Sequence, residues 1–352
     1  MRVIKTGHLF WRIARPERRS PFRWIARPVS VKERETPVAG VSLQVREYRP
    51  DTWSATIVLN GGFVPESVDD PRLVNFAAAL AEIGFLVLTP DYPAVRALDF
   101  DPATIEQIAG VIQDVRRRAP SDGSHPVIVL GLSYMGTLGL KAALRPQLEE
   151  PPEVVAVFGG YADFGDLMRD VFSDVYRTDG VNVPVDPYGR FLVLRSALAY
   201  FDAPESERDR LRAILLEIGR QRDSAEIDRS VRELSPAGRA CIEALRRFHP
   251  DRMPDQWREI TATSRALIEA LSVTEPADRL RSRLLILHSV YDHILPCSGS
   301  MALHRRFPSA ECVLTTLFTH VNVRVSARAI WSQARELLAL SRLFGRMIAL
   351  LR

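Results

Sequence analysis

Along the first half of the chain, short apolar runs of the kind that fill strands buried on both faces alternate with longer stretches. In those stretches the apolar residues return every three or four positions. Residues 29–49 alternate around Pro37-Val38-Ala39-Gly40, which predicts a hairpin. A buried strand is predicted over 55–59 and ends in Asn60-Gly61-Gly62-Phe63. Helical spacing over 71–83 is stopped by Gly84. The pattern then predicts a strand over 85–88, a helix over 102–118, and a strand over 127–130. From Gly136 a helix follows, marked by Leu138, Leu140 and Ala143, and then a strand over 154–158 closed by Gly159-Gly160. Strand–helix alternation of this kind predicts an α/β class with a doubly wound, mainly parallel sheet.

The alternation stops at about residue 164. As far as residue 278 the chain reads as helices separated by Pro and Gly, clearest over 206–220, 237–248 and 256–271, with no strand signal of comparable strength. It resumes with Leu284-Leu285-Ile286-Leu287-His288, a helix over 301–307, a strand over 312–317, and a closing amphipathic helix over 327–351. The expected organisation is an N-terminal arm (1–28), a core formed by 29–163 and 281–352, and a helical insertion at 164–280. An insertion at the carboxyl edge of a parallel sheet is expected to act as a cap there, excluding water and selecting substrate.

Composition narrows the class. The apolar fraction of 46% is that of a globular protein, and no apolar run reaches the roughly 18 residues of a membrane span. The three cysteines, Cys241, Cys297 and Cys312, are widely spaced and form no metal-ligand pair or disulfide framework. With no uninterrupted apolar core of secretory type near the start, a cytoplasmic location is expected. The net charge is +4, but residues 1–36 hold ten basic side chains against three acidic ones. The rest of the chain is mildly acidic, so the basic balance is no argument for nucleic acid. Two aromatic-basic blocks recur in the arm, Phe10-Trp11-Arg12-Ile13-Ala14-Arg15-Pro16 and Phe22-Arg23-Trp24-Ile25-Ala26-Arg27-Pro28. They suit weak contact with an anionic membrane surface. The competing expectation is an arm packed on the domain with its arginines solvated.

The chemistry centres on Gly131-Leu132-Ser133-Tyr134-Met135-Gly136. A strand that becomes a helix in so few residues turns sharply, and Ser133 at the apex is a candidate nucleophile near the positive end of the helix. Small residues at such turns also occur with no catalytic role. A dinucleotide-binding turn is a further rival, with Ser133 standing where that fingerprint has its middle glycine.

These pieces together resemble the α/β-hydrolase superfamily over roughly residues 29–350. The resemblance rests on Asn60-Gly61-Gly62-Phe63, the passage from Leu80-Ala81-Glu82-Ile83-Gly84-Phe85 to Asp91-Tyr92-Pro93, the Ser133 turn, the Asp292 loop and the His320 loop. Their order is Ser, then Asp, then His, as in that family. Two positions depart from its pattern. Met135 stands where the elbow has its second glycine, with Gly136 one residue later, and Asn60 stands where the third-strand motif begins with histidine.

The resemblance implies Ser133 as nucleophile, His320 as base and Asp292 as acid. It also implies an oxyanion site from the amides of Tyr134 and of Gly62 or Phe63. Asp163, after the strand over 154–158, competes for the role of acid; Asp91 suits a loop anchor. Among the other histidines, His293 would point away from Asp292, and His288 at a strand end suits packing. His304 falls on a surface helix, while His8, His125 and His249 fall near charged or turn segments. No metal cluster or phosphate loop is visible, so no cofactor is implied. The expected function is a serine hydrolase cleaving a small-molecule carboxylic ester or thioester. A peptidase or amidase on the same triad, and a catalytically silent hydrolase-like binding protein, are the alternatives.

Overall fold

The computed structural model describes residues 2–14, 20–119, 125–178, 180–198, 201–320 and 330–351. The chain forms two compact units. The first comprises Met1–Ala162, Val273–Asp292 and Cys297–Arg352; the second comprises Asp163–Ser272 and His293–Pro296.

The first unit opens with helix α1 (Arg2–Ala14) and the hairpin β1 (Val29–Val38) and β2 (Val41–Pro50). Then come β3 (Thr56–Asn60), α2 (Pro71–Glu82), β4 (Leu86–Asp91), α3 (Pro93–Ala97) and α4 (Ala103–Arg118). Strand β5 (Val127–Leu132), helix α5 (Tyr134–Ala143) and strand β6 (Val154–Phe158) complete this stretch. The second unit holds α6 (Phe164–Asp170), the strands β7 (Val175–Thr178) and β8 (Val181–Pro184), α7 (Pro187–Ser196) and α8 (Arg208–Gly219). It continues with α9 (Ser224–Arg232), α10 (Pro236–Arg247), α11 (Pro254–Thr263) and α12 (Arg265–Leu271). The chain returns to the first unit with β9 (Arg283–Ser289), α13 (Cys297–Arg306), β10 (Glu311–Thr315) and α14 (Ile330–Ile348).

Among the described residues eight strands form one sheet, in the order β1-β2-β4-β3-β5-β6-β9-β10. The β1–β2 and β2–β4 pairs are antiparallel and all the others parallel. The alternation of side chains along each strand splits the core into two layers. Val154 and Ala156 face a cluster with Leu80 of α2, Leu9 of α1, and Leu340 and Phe344 of α14. Val155 and Val157 face the other way, with Leu140 of α5 and Leu303 of α13. Both faces are covered, which is why β3, β5 and β6 read as continuous apolar runs.

The N-terminal arm starts as helix. Its apolar side, Leu9, Phe10 and Ile13, packs on the first of these clusters. His8 is buried between Ser20 Oγ, 3.0 Å away, and Glu82, 2.7 Å away. Residues 15–19, which hold part of the basic run, lie outside the described residues, as do 327–329 at the predicted start of the last helix.

Two features of the second unit differ from the sequence expectation. The helical stretch is interrupted by the antiparallel pair β7–β8, joined through Gly180 at φ +78°. The helix expected over 256–271 is two helices divided at Ser264. Residues 273–280 lie with the first unit: Val273 donates its N–H to Ala162 O at 2.8 Å and is buried beside Leu284.

Candidate active site

The turn between β5 and α5 places Ser133 at φ +57°, ψ −136°. For a residue with a Cβ this backbone costs of order 1–3 kcal/mol and persists only where neighbours enforce it. They do so here: Ser133 N donates to Phe158 O at the end of β6 (2.7 Å), and Gly136 N donates to Ser133 O (2.9 Å). The helix leaves so close to the strand that a Cβ on Gly131 would lie 2.4 Å from the Met135 carbonyl oxygen. A Cβ on Gly136 would lie 2.9 Å from the Gly131 carbonyl oxygen. The close approach thus falls on Gly131 and Gly136. Met135 presents its backbone at the crossing and buries its side chain completely. The displaced glycine therefore does not obstruct the turn, and Ser133 stays partly exposed.

The acid and the base come together on the first unit. His320 Nδ1 donates to Asp292 Oδ2 at 2.7 Å. Two anchors hold the loops that carry them: Ser289 Oγ donates to Phe318 O, and Val290 N donates to Thr315 O at 2.9 Å. Glu336 on α14 accepts from Thr315 Oγ1 (2.7 Å), Thr316 N (2.6 Å) and Thr316 Oγ1 (2.7 Å), which fixes the turn leading to His320.

Asp292 is almost fully buried, which by itself pushes its carboxyl up. The charge of His320 and hydrogen bonds from His288 and His320 outweigh that and hold it well below the usual carboxylate range. The side chain is thus a carboxylate at neutral pH and fixes the imidazole tautomer with Nδ1 protonated. Ser133 stands in the same place. A Cβ at Gly159, whose N–H donates to Leu287 O of β9, would lie 3.8 Å from both Ser133 Cα and Asp292 Oδ2.

The expected oxyanion donors lie on two segments that their rings pin together. Phe63 and Tyr134 are both buried, with centroids 5.0 Å apart, and Phe100 stacks on Phe63 at 5.0 Å. Tyr134 is the first residue of α5, where amides point out of the helix end. Of the paired glycines, Gly61 is closed off, since a Cβ there would meet Leu73 Cδ2 at 2.6 Å. Gly62 faces open space, with nothing within 4 Å of its added Cβ. Asn60 is buried and accepts from Tyr92 Oη at 2.7 Å, so it ties the end of β3 to the chain after β4.

Asp163, the rival acid, caps α6 by accepting from Asp166 N at 2.8 Å. Asp91 accepts from Ser67 Oγ (2.8 Å) and Arg96 Nε (2.8 Å), anchoring its loop. His125 meets Thr56 Oγ1, His249 meets the Phe172 carbonyl, and His293 Nε2 lies 3.7 Å from Asp186. His304 lies on α13.

Sequence reasoning missed two residues. His288 reads as a packed strand-end residue, but its Nε2 lies 3.3 Å from Asp292 Oδ2. Glu336 carries no signal at all, because its partners lie 20 and 21 positions earlier. Among the described residues no group of three His, Cys, Asp or Glu side chains could hold a metal ion, and no helix is long and apolar enough to cross a membrane.

The fold finds its counterpart in solved structures. The acylaminoacyl peptidase of Pyrococcus horikoshii aligns with a TM-score of 0.50 at 13% identity, over 92% of this chain and 42% of that one. A thermostable esterase from Pseudomonas putida aligns at 0.49 and 13% over 91% of this chain and 85% of its own. A dienelactone hydrolase from Anabaena variabilis aligns at 0.45 and 13% over 92% of this chain and 99% of its own. The chain has the α/β-hydrolase fold. It spans less than half the length of the Pyrococcus peptidase. No protein-family model and no curated protein matches it.

Proposed function

We propose that the protein is a serine hydrolase that cleaves a carboxylic ester or thioester through an acyl-enzyme on Ser133. The observation that carries this reading is the 2.7 Å bond from His320 Nδ1 to Asp292 Oδ2, in the same unit as a serine on a strained strand-to-helix turn. Ser133 Oγ attacks the acyl carbon and forms the C–O bond while His320 Nε2 takes its proton. The amides of Tyr134 and of Gly62 or Phe63 receive the developing oxyanion. His320 then gives the proton to the departing alcohol or thiol, and water repeats the sequence to release the acid. Asp292 stays ionised throughout and stabilises the imidazolium.

We further propose that the second unit, inserted in the chain between β6 and β9, selects the substrate. The test is a panel of p-nitrophenyl esters of graded acyl length, matching thioesters and p-nitroanilides. The reading expects turnover of esters or thioesters that Ser133→Ala abolishes. Turnover of the anilides alone would favour a peptidase or amidase, and no turnover of any member would favour a silent binding protein.

A further inference from the structure

We infer that His288 is a positioning residue for the acid and base: it donates its Nε2–H to the same Asp292 oxygen that His320 uses, and so sets how tightly His320 holds its proton. The inference rests on reading Ser133, His320 and Asp292 as a catalytic triad.

His288 is the next-to-last residue of β9 and its side chain is fully buried. On one side its Nδ1 lies 2.7 Å from Ser300 Oγ of α13; on the other its Nε2 lies 3.3 Å from Asp292 Oδ2. Ser300 Oγ is also 3.2 Å from Gly160 O. A carboxylate only accepts, so the ring nitrogen facing it must carry a proton. The titratable groups acting here are Asp292 and, across its carboxylate, His320. From β6 and α13 the facing groups are the Gly160 carbonyl and the Ser300 hydroxyl, and β10 sets Leu314 beside His288 in register.

The consequence is competition. Oδ2 receives Nδ1–H of His320 at 2.7 Å and Nε2–H of His288 at 3.3 Å. A carboxylate oxygen shared by two donors is a poorer acceptor for each. The imidazolium that His320 becomes during reaction is therefore stabilised less than by an acid with one donor. In exchange, His288 fixes the buried carboxylate's rotamer and offsets part of the loss of water around it.

The experiment compares the full chain with His288→Leu, His288→Gln and Ser300→Ala. It reads the pH profile of kcat/KM on a p-nitrophenyl ester and the NMR titration of the His320 imidazole. His288→Leu should move the acid limb and the imidazole titration to higher pH by about half a unit or more, and lower kcat with KM little changed. His288→Gln, which restores an N–H donor, should bring both back towards the starting protein. Ser300→Ala should shift them the same way by less, and it supplies the reading if the leucine variant does not fold. An unmoved limb and titration in His288→Leu, or in Ser300→Ala where the leucine variant does not fold, would overturn the inference. A starting protein without esterase turnover would count against the proposed function instead, and the NMR titration would still decide the role of His288.

Discussion

A Cβ built on Gly131 would lie 2.6 Å from Gly136 Cα, so these two glycines, one ending a strand and one opening a helix, set how sharply the chain turns at Ser133. The obstructing atoms are backbone and cannot swing aside. Gly131→Ala should lower stability by about 1–3 kcal/mol or more through overpacking, read by urea unfolding. Gly62→Ala has open space around the new methyl and should leave the unfolding midpoint close to that of the starting protein. Equal losses from both substitutions would mean that the turn is looser than this contact implies.

The acid is tested by Asp292→Asn, which should lower kcat by about 10⁴-fold if the carboxylate orients and stabilises His320. Asp163→Asn should leave turnover nearly unchanged, because that side chain serves as the N-cap of α6. A reversal of the two effects would move the acid to the segment after β6.

Glu336 should matter through the turn that it holds. Glu336→Ala removes the acceptor for three hydrogen bonds at Thr315 and Thr316. Turnover should fall because His320 is less firmly placed, and Glu336→Gln should recover part of it. An alanine variant that loses stability and keeps full kcat would limit Glu336 to a structural role.

Asp170 on α6 gives a pH signature. Burial and the neighbouring Asp166 push its carboxyl up to about 6, against a smaller opposing effect of Arg169. The folded chain then binds this proton more tightly than the unfolded chain, whose carboxyl titrates near about 4. Its favourable contribution is present in acid and is lost as pH rises from about 4 to about 6. Asp170→Asn should therefore raise Tm at pH 7 relative to the starting protein, with little gain at pH 4. An equal change at both pH values would contradict the assignment.

Strands β3, β5 and β6 were legible because burial on both faces leaves them almost wholly apolar, and the turn at Ser133 because the apolar period changes there. The β7–β8 pair was not legible, since four-residue strands alternating with exposed residues carry too little pattern. The division at Ser264 was hidden by apolar spacing that continues across it. The first helix was obscured by the arginines and by Gly7, although its buried face is short and apolar. The order Ser133, Asp292, His320 could be read along the chain, whereas the contact between His288 and Asp292 depends on how one loop folds back over its own strand.

Ser133 as the nucleophile is tested most directly by covalent labelling with a fluorophosphonate, followed by peptide mapping. The starting protein should take up one equivalent, with the adduct on the peptide that carries Ser133. Ser133→Ala should take up none while keeping its circular dichroism spectrum and unfolding midpoint. Labelling that persists in Ser133→Ala, or that maps to another residue in the starting protein, would contradict the assignment of Ser133 as the nucleophile.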